Sequence, residues 1–223
     1  LNQAIFTPSP NFDDRPVPVR HLVLHYTGMQ TGAAALQRLC DPSSRVSSHY
    51  VVEEDGAVYC LVDEDKRAWH AGVSFWREVR GLNDSSVGIE IVNPGHEWGY
   101  RAFPQVQMAA VLELCTAILR RHAIPRHHVV AHSDIAPDRK QDPGELFPWA
   151  WLAANGVGLW SDEIPAPGDI AADLAAIGYD TGLPLAVVIA AFQRHFLPVA
   201  ITGEADAATA GRAAAIRRLT GAP

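Results

Sequence analysis

The chain has 223 residues, 48% of them hydrophobic and 19% charged, with a formal net charge of -7. This composition suits one or two packed domains and argues against intrinsic disorder. The acidic balance and the lack of any Lys/Arg cluster exclude a nucleic-acid surface, and no apolar run approaches the roughly 20 residues of a membrane-spanning helix.

Residues 1–19 are rich in Pro, Asn and Asp without periodicity and read as an extended arm. From Arg20 the pattern changes. Leu22-Val23-Leu24 is a short apolar run that predicts a buried strand ending at His25. Residues 33–39 predict a short helix that stops near Asp41-Pro42. Residues 49–52 and 57–62 flank Asp55-Gly56, a turn signal for a hairpin. In the strand predicted over 87–92, Val87, Ile89 and Ile91 share one face and Glu90 points to the other. Residues 105–122 carry the strongest helical pattern, with Val111, Leu114, Ile118 and Leu119 on one side. A strand over 128–132, a long loop and a helix over 147–154 follow. Strands alternating with helices predict an α/β domain over residues 20–164, a sheet covered by helices.

A boundary falls at Ile164-Pro165-Ala166-Pro167-Gly168. Residues 165–223 are alanine-rich and predict three helices, at about 169–177, 184–196 and 206–219, punctuated by Gly and Pro. Asp206 is the expected N-cap of the last. Such a small bundle would be marginally stable alone. Cys40, Cys60 and Cys115 are widely spaced, form no CxxC pair, and read as small hydrophobes.

Most of the ten histidines need only ordinary explanations: His21, His96, His122, His127 and His128 read as surface residues, and His195 lies in the small domain. His25 and His132 differ, because each closes an apolar run. With Asp142 they offer two imidazoles and a carboxylate, a donor set suited to Zn²⁺ with a fourth position left for water. Other divalent cations accept the same donors, and an ordinary turn would equally explain Asp142-Pro143-Gly144. Glu90 is the candidate general base for water acidified by such an ion. Lys140 precedes Asp142 by two residues, so extended backbone would send both to the same side. Its ammonium is the candidate to stabilise an oxyanion.

Five ordered segments carry a family resemblance: Leu24-His25-Tyr26-Thr27, Ser47-Ser48-His49-Tyr50, Ala68-Trp69-His70-Ala71-Gly72, the stretch from Leu82 to Glu90, and the run from His132 to Pro148. Together they resemble the zinc-dependent N-acetylmuramoyl-L-alanine amidases of the amidase-2 type. The resemblance is greatest to the periplasmic, lipoprotein-like branch that accepts anhydro-muropeptides as well as intact peptidoglycan. It implies a mixed central β-sheet flanked by helices. It also implies one zinc ion held by His25, His132 and Asp142, with Glu90 and Lys140 as the catalytic pair. His49, Trp69 and His70 match positions that line or support the substrate cleft. Asn93, at the end of the Glu90 strand, is a candidate to hydrogen-bond a peptide or sugar group.

The segments Ala191-Phe192-Gln193-Arg194-His195-Phe196 and Thr202 to Thr209 are similar to the three-helix peptidoglycan-binding fold. A domain of that kind would tether the enzyme and raise its local concentration at the wall. The activity implied is hydrolysis of the amide between N-acetylmuramic acid, including its 1,6-anhydro form, and L-Ala of the stem peptide. Peptidoglycan and muropeptides are the implied partners, and no protein partner emerges. The implied location is the periplasm, with a lipid anchor at a cysteine before Leu1. Two alternatives remain: a non-catalytic peptidoglycan-recognition protein of the same fold, and a zinc peptidase acting within the stem peptide.

Overall fold

The structure is a computed structural model that describes residues 4–221, so the first three residues of the expected arm and the last two of the chain lie outside it. In chain order its elements begin with β1 (Ile5–Phe6), β2 (Phe12–Asp14), β3 (His21–Tyr26), α1 (Gly32–Cys40), β4 (Tyr50–Val52), β5 (Val58–Cys60) and β6 (Lys66–Ala68). Then come β7 (Phe75–Trp76), β8 (Val79–Arg80), β9 (Ser86–Ile91), α2 (Gly95–Trp98), α3 (Gln105–His122), β10 (Val129–Ala131), α4 (His132–Ile135) and α5 (Trp149–Ala154). The C-terminal unit holds α6 (Ile170–Ile177), α7 (Leu185–Phe196) and α8 (Ala207–Leu219).

Alternation along the strands sorts the molecule into layers. The main sheet has six strands in the order β1-β5-β4-β9-β3-β10. β4, β9, β3 and β10 run parallel, while β5 lies antiparallel to β4, so the sheet is mixed. Leu22 and Leu24 of β3 and Val87, Ile89 and Ile91 of β9 pack on one face against Met108, Val111, Leu114, Cys115 and Ile118 of α3. Each such side chain stabilises the fold by about 1.5–3 kcal/mol when fully buried. The opposite face is covered in two patches. α1 contributes Leu39 to a cluster with Val51, Leu61 and Val92. The C-terminal helices cover Val23 and Val130 with Leu174, Ile177, Val188, Ile189, Phe192 and Ile216.

Several expectations change. The arm is extended, but it is not free. β1 pairs parallel with β5 and β2 pairs antiparallel with β6. Arg15 then donates to the carbonyls of Glu64, Asp84, Lys66 and Ser86. Strands of two or three residues are too short to show a period, which is why they were illegible. The strand expected to run to His132 stops at Ala131, because the Asp134 carboxylate accepts from the Ala131 N–H at 2.8 Å and starts α4 there. His21 is buried rather than exposed, stacked on His128 at 4.5 Å, with Nδ1 3.0 Å from the Ser85 hydroxyl. Burial, aided by the neighbouring His128, pushes its pKa down to about 4. The C-terminal helices begin and end within about one residue of expectation, and Asp206 caps α8 by accepting from the Thr209 N–H at 2.7 Å. All three cysteines are unpaired. Among the described residues no helix is long and apolar enough to cross a membrane.

Candidate metal centre and catalytic cleft

The parallel register of β3 and β9 sets His25 beside Glu90 on the face away from α3. β10 lies on the other side of β3, with Ala131 opposite Leu24, so His132 follows at the same end of the sheet. The loop after α4 then brings Asp142 back. His25 Nδ1 lies 2.9 Å from His132 Nδ1 and 3.0 Å from Asp142 Oδ2, and His132 Nδ1 lies 3.0 Å from the same oxygen. Donor atoms on a tetrahedral zinc ion sit about 3.3 Å apart, so this triangle has the size of a three-ligand site. All three residues are buried.

Proton placement follows from the outer partners of the two rings. His132 Nε2 lies 3.2 Å from the Ala71 carbonyl, which can only accept, so Nε2 carries a hydrogen and, in the neutral ring, the lone pair is on Nδ1. His25 is fixed by a longer chain. The Ser86 hydroxyl has one hydrogen, taken by the Leu82 carbonyl at 2.5 Å. Ser86 Oγ therefore accepts from His70 Nε2, 3.1 Å away. His70 Nδ1 is left to accept from His25 Nε2 at 3.0 Å. His25 Nδ1 is then bare too. Two nitrogen lone pairs and a carboxylate oxygen converge within about 3 Å with no proton to share, an arrangement that fits a cation. Burial, and next the repulsion that a second protonated ring at His132 would exert, lowers the His25 pKa to about 4, so the His25 ring is neutral and competent to ligate at neutral pH.

Glu90 stands beside this group. Its Oε2 is buried without a hydrogen-bond partner. Burial raises its pKa well above the usual carboxylate range, the Asp142 charge raises it further, and Lys140 opposes both. A buried carboxyl beside a candidate metal group is suited to proton exchange with a reacting group. Both Glu90 and Lys140 open onto a cleft of about 880 Å³, which also exposes His132 and Asp142. One wall is α1, with Ala34, Arg38 and Leu39, and the other is the loop from Arg139 to Asp142. Such a volume suits a ligand the size of a short glycopeptide.

The remaining sequence candidates separate. Trp69 lines the cleft and its indole N–H donates to Asp13 of the arm at 2.7 Å. His70 borders the cleft but is 8% exposed, and both its nitrogens serve the proton chain behind His25. His49 and Asn93 do not line this cleft. His49 is fully buried, accepting from Gly88 N–H and donating to the Lys66 carbonyl. The Asn93 amide donates to Arg101 O and accepts from Gly95 N–H, which builds the turn after β9. Arg38, Tyr26, Trp98 and Arg139 line the cleft without having been singled out. Arg139 is held by the Ala71 and Val73 carbonyls. No local pattern marks these residues, since they come from separate elements.

Lone pairs aimed at one point, with a buried acid alongside in an open cleft, are the arrangement that a metal-assisted hydrolase would use. Comparison with known proteins narrows that class. The chain belongs to the amidase-2 family, described as N-acetylmuramoyl-L-alanine amidase, which it matches over residues 15–145. N-acetylmuramoyl-L-alanine amidase AmiD of Escherichia coli K12 is 39% identical over 229 aligned residues, covering 89% of this chain and 82% of AmiD. The solved structure of E. coli AmiD with anhydro-N-acetylmuramic acid-L-Ala-D-gamma-Glu-L-Lys is 37% identical. It has a TM-score of 0.81 and covers 92% of this chain and 91% of that one. AmpDh3 from Pseudomonas aeruginosa has a TM-score of 0.83 at 32% identity, covering 97% and 96%. The 1,6-anhydro-N-acetylmuramyl-L-alanine amidase AmpD of E. coli K12 is 35% identical, covering 86% of AmpD but 64% of this chain. The likeness to AmiD and AmpDh3 therefore extends into the C-terminal helices.

Proposed function

We propose that this chain is a zinc amidase that hydrolyses the amide between the lactyl group of N-acetylmuramic acid, including its 1,6-anhydro form, and L-Ala of the stem peptide. The single observation that carries the metal reading is the convergence of two bare imidazole nitrogens and the Asp142 oxygen. His25, His132 and Asp142 would hold one zinc ion, which when bound supplies Lewis-acid polarisation and acidifies water. Glu90, which lines the cleft and whose Oε2 has no hydrogen-bond partner, takes the proton of the attacking water and returns it to the departing nitrogen of L-Ala. The Lys140 ammonium neutralises charge on the tetrahedral oxyanion. Trp69 and the α1 wall contact the bound muropeptide. The substrate bound to AmiD, an anhydromuramyl tripeptide, supports this choice of chemistry. Action on peptidoglycan and its fragments, as in the relatives AmiD and AmpD, supports work in the cell envelope, and we assign the chain to the periplasm.

Mass spectrometry of a digested 1,6-anhydro-muropeptide tests the reading. Release of an intact peptide beginning with L-Ala is expected. Loss of a single D-amino acid would make the chain a peptidase, and binding without cleavage by zinc-loaded protein would make it a recognition protein. Chelation should abolish turnover and added Zn²⁺ should restore it; full activity of metal-free protein would sink the metal role.

A further inference from the structure

Asp134 stands two residues beyond His132, 1% exposed, and accepts three hydrogen bonds. Oδ2 accepts from the Ala131 N–H at 2.8 Å and from His195 Nδ1 at 2.7 Å, and Oδ1 accepts from the Tyr179 hydroxyl at 2.7 Å. Ala131 ends β10, so the first of these bonds pins the turn on which His132 leaves the sheet. The next residue, Ser133, donates its N–H to the Asp142 carbonyl at 3.0 Å. This one turn thus holds two of the three candidate ligands, His132 by its own backbone and Asp142 through Ser133.

Two of the three hydrogens on Asp134 come from beyond the 164–168 boundary. Tyr179 follows α6 and packs edge-on against Trp76 at 5.0 Å. His195, on α7, is stacked at 3.8 Å on both Trp149 and Phe196. Both donors are buried, so neither is free to swing away. A buried carboxylate that loses its donors is left with an unmet desolvation cost, and rotation toward water would release the Ala131 N–H. Ligand constellations tolerate displacements of only about 0.5 Å.

We propose that the C-terminal helices are an internal support of the metal centre, with Tyr179 and His195 as positioning residues that set the His132–Asp142 turn through Asp134. The bundle does not merely tether the enzyme; it completes the site. This inference rests on reading His25, His132 and Asp142 as metal ligands.

The test compares three full-length proteins: the unaltered chain, the double variant Tyr179→Phe/His195→Phe, and Val188→Ala. The double variant keeps both aromatic rings and removes both hydrogen bonds. Val188 is fully buried in the same apolar cluster, so its truncation destabilises by packing alone. Zinc affinity is read by chelator competition, ligand geometry by the visible spectrum of the Co²⁺-substituted protein, and stability by Tm. The double variant should bind zinc about tenfold more weakly, at the lower end of effects for outer partners of a metal site, with an altered Co²⁺ spectrum. Val188→Ala should lower Tm and leave both readouts unchanged. Unchanged affinity and spectrum in the double variant would overturn the proposal, as would equal shifts in Val188→Ala at equal Tm loss. Failure of the unaltered chain to take up either ion would instead overturn the ligand reading. Tyr179→Phe alone, which removes one oxygen, makes the same comparison should the double variant not fold.

Discussion

At the scale of single residues, the placement of hydrogens decides what each ring can do. The His25 Nδ1 lone pair is free for a ligand because His70 accepts from the other nitrogen, and His70 can accept because Ser86 takes its far proton. His70→Phe removes that acceptor while keeping a ring in place. Zinc affinity should fall about 10- to 100-fold, with the far-ultraviolet circular dichroism unchanged; affinity within twofold of the unaltered chain would remove His70 from this role. Glu90 works differently, since it touches none of the three donors by hydrogen bond. Glu90→Ala should keep one zinc per chain and lose about 10²-fold or more in kcat. A near-normal kcat would remove Glu90 from the mechanism.

At the scale of elements, β9 supplies both the proposed base Glu90 and a gap. A Cβ on Gly88 would overlap the His70 ring, so the strand needs glycine there for the His70 chain to lie close behind the site. Gly88→Ala should cost about 1–3 kcal/mol from overpacking, read as a lower Tm, and should weaken zinc binding along with it. A second device ties the end of α3 to the loop after β5. Glu64 accepts from Tyr50, Arg121 and His122 at 2.8, 2.5 and 2.5 Å. Burial alone would raise its pKa, but the hydrogen bonds from Arg121, His122 and Tyr50 outweigh it and hold it at about 2. The folded value lies below the unfolded one, so the unfolded state binds the proton more readily. The stabilisation is present above about pH 4.5 and is lost as pH falls toward 2. With solvent screening at the exposed Arg121, about 1–2 kcal/mol is at stake. Denaturant melts at pH 6 and pH 3 should show that loss in the unaltered chain, while Glu64→Gln should show a smaller difference between the two.

At the scale of the whole molecule, the sheet face that carries the site is also the face on which the C-terminal helices sit. Val23 and Val130 flank His25 and His132 in sequence and are covered by α6, α7 and α8. A boundary visible in composition at 164–168 is therefore not a boundary in packing. Removing residues 165–223 should uncover Val23, Trp76, Leu82, Val130 and Ile135, all buried in that cluster. We expect aggregation or loss of a cooperative thermal transition, rather than a fragment that loses wall digestion alone. A soluble fragment with unchanged Tm and unchanged cleavage of small muropeptides would show that the units are separable.

Local order in the chain made much of this legible. Period-2 and period-3.6 patterns give strands and helices wherever an element is long enough to repeat, as α3 and β9 are. Apolar runs that end in His25 and His132 announce side chains delivered to a sheet edge, and donor chemistry announces what three such groups can hold. Periodicity carries no sign of β1 and β2, which are too short to repeat, nor of the His25–His70 bond, whose partners lie 45 residues apart. The same holds for the carboxylate of Asp134, filled by donors 45 and 61 residues away. Such contacts depend on which faces meet once the sheet has formed, because an apolar face left uncovered by one segment must be covered by another.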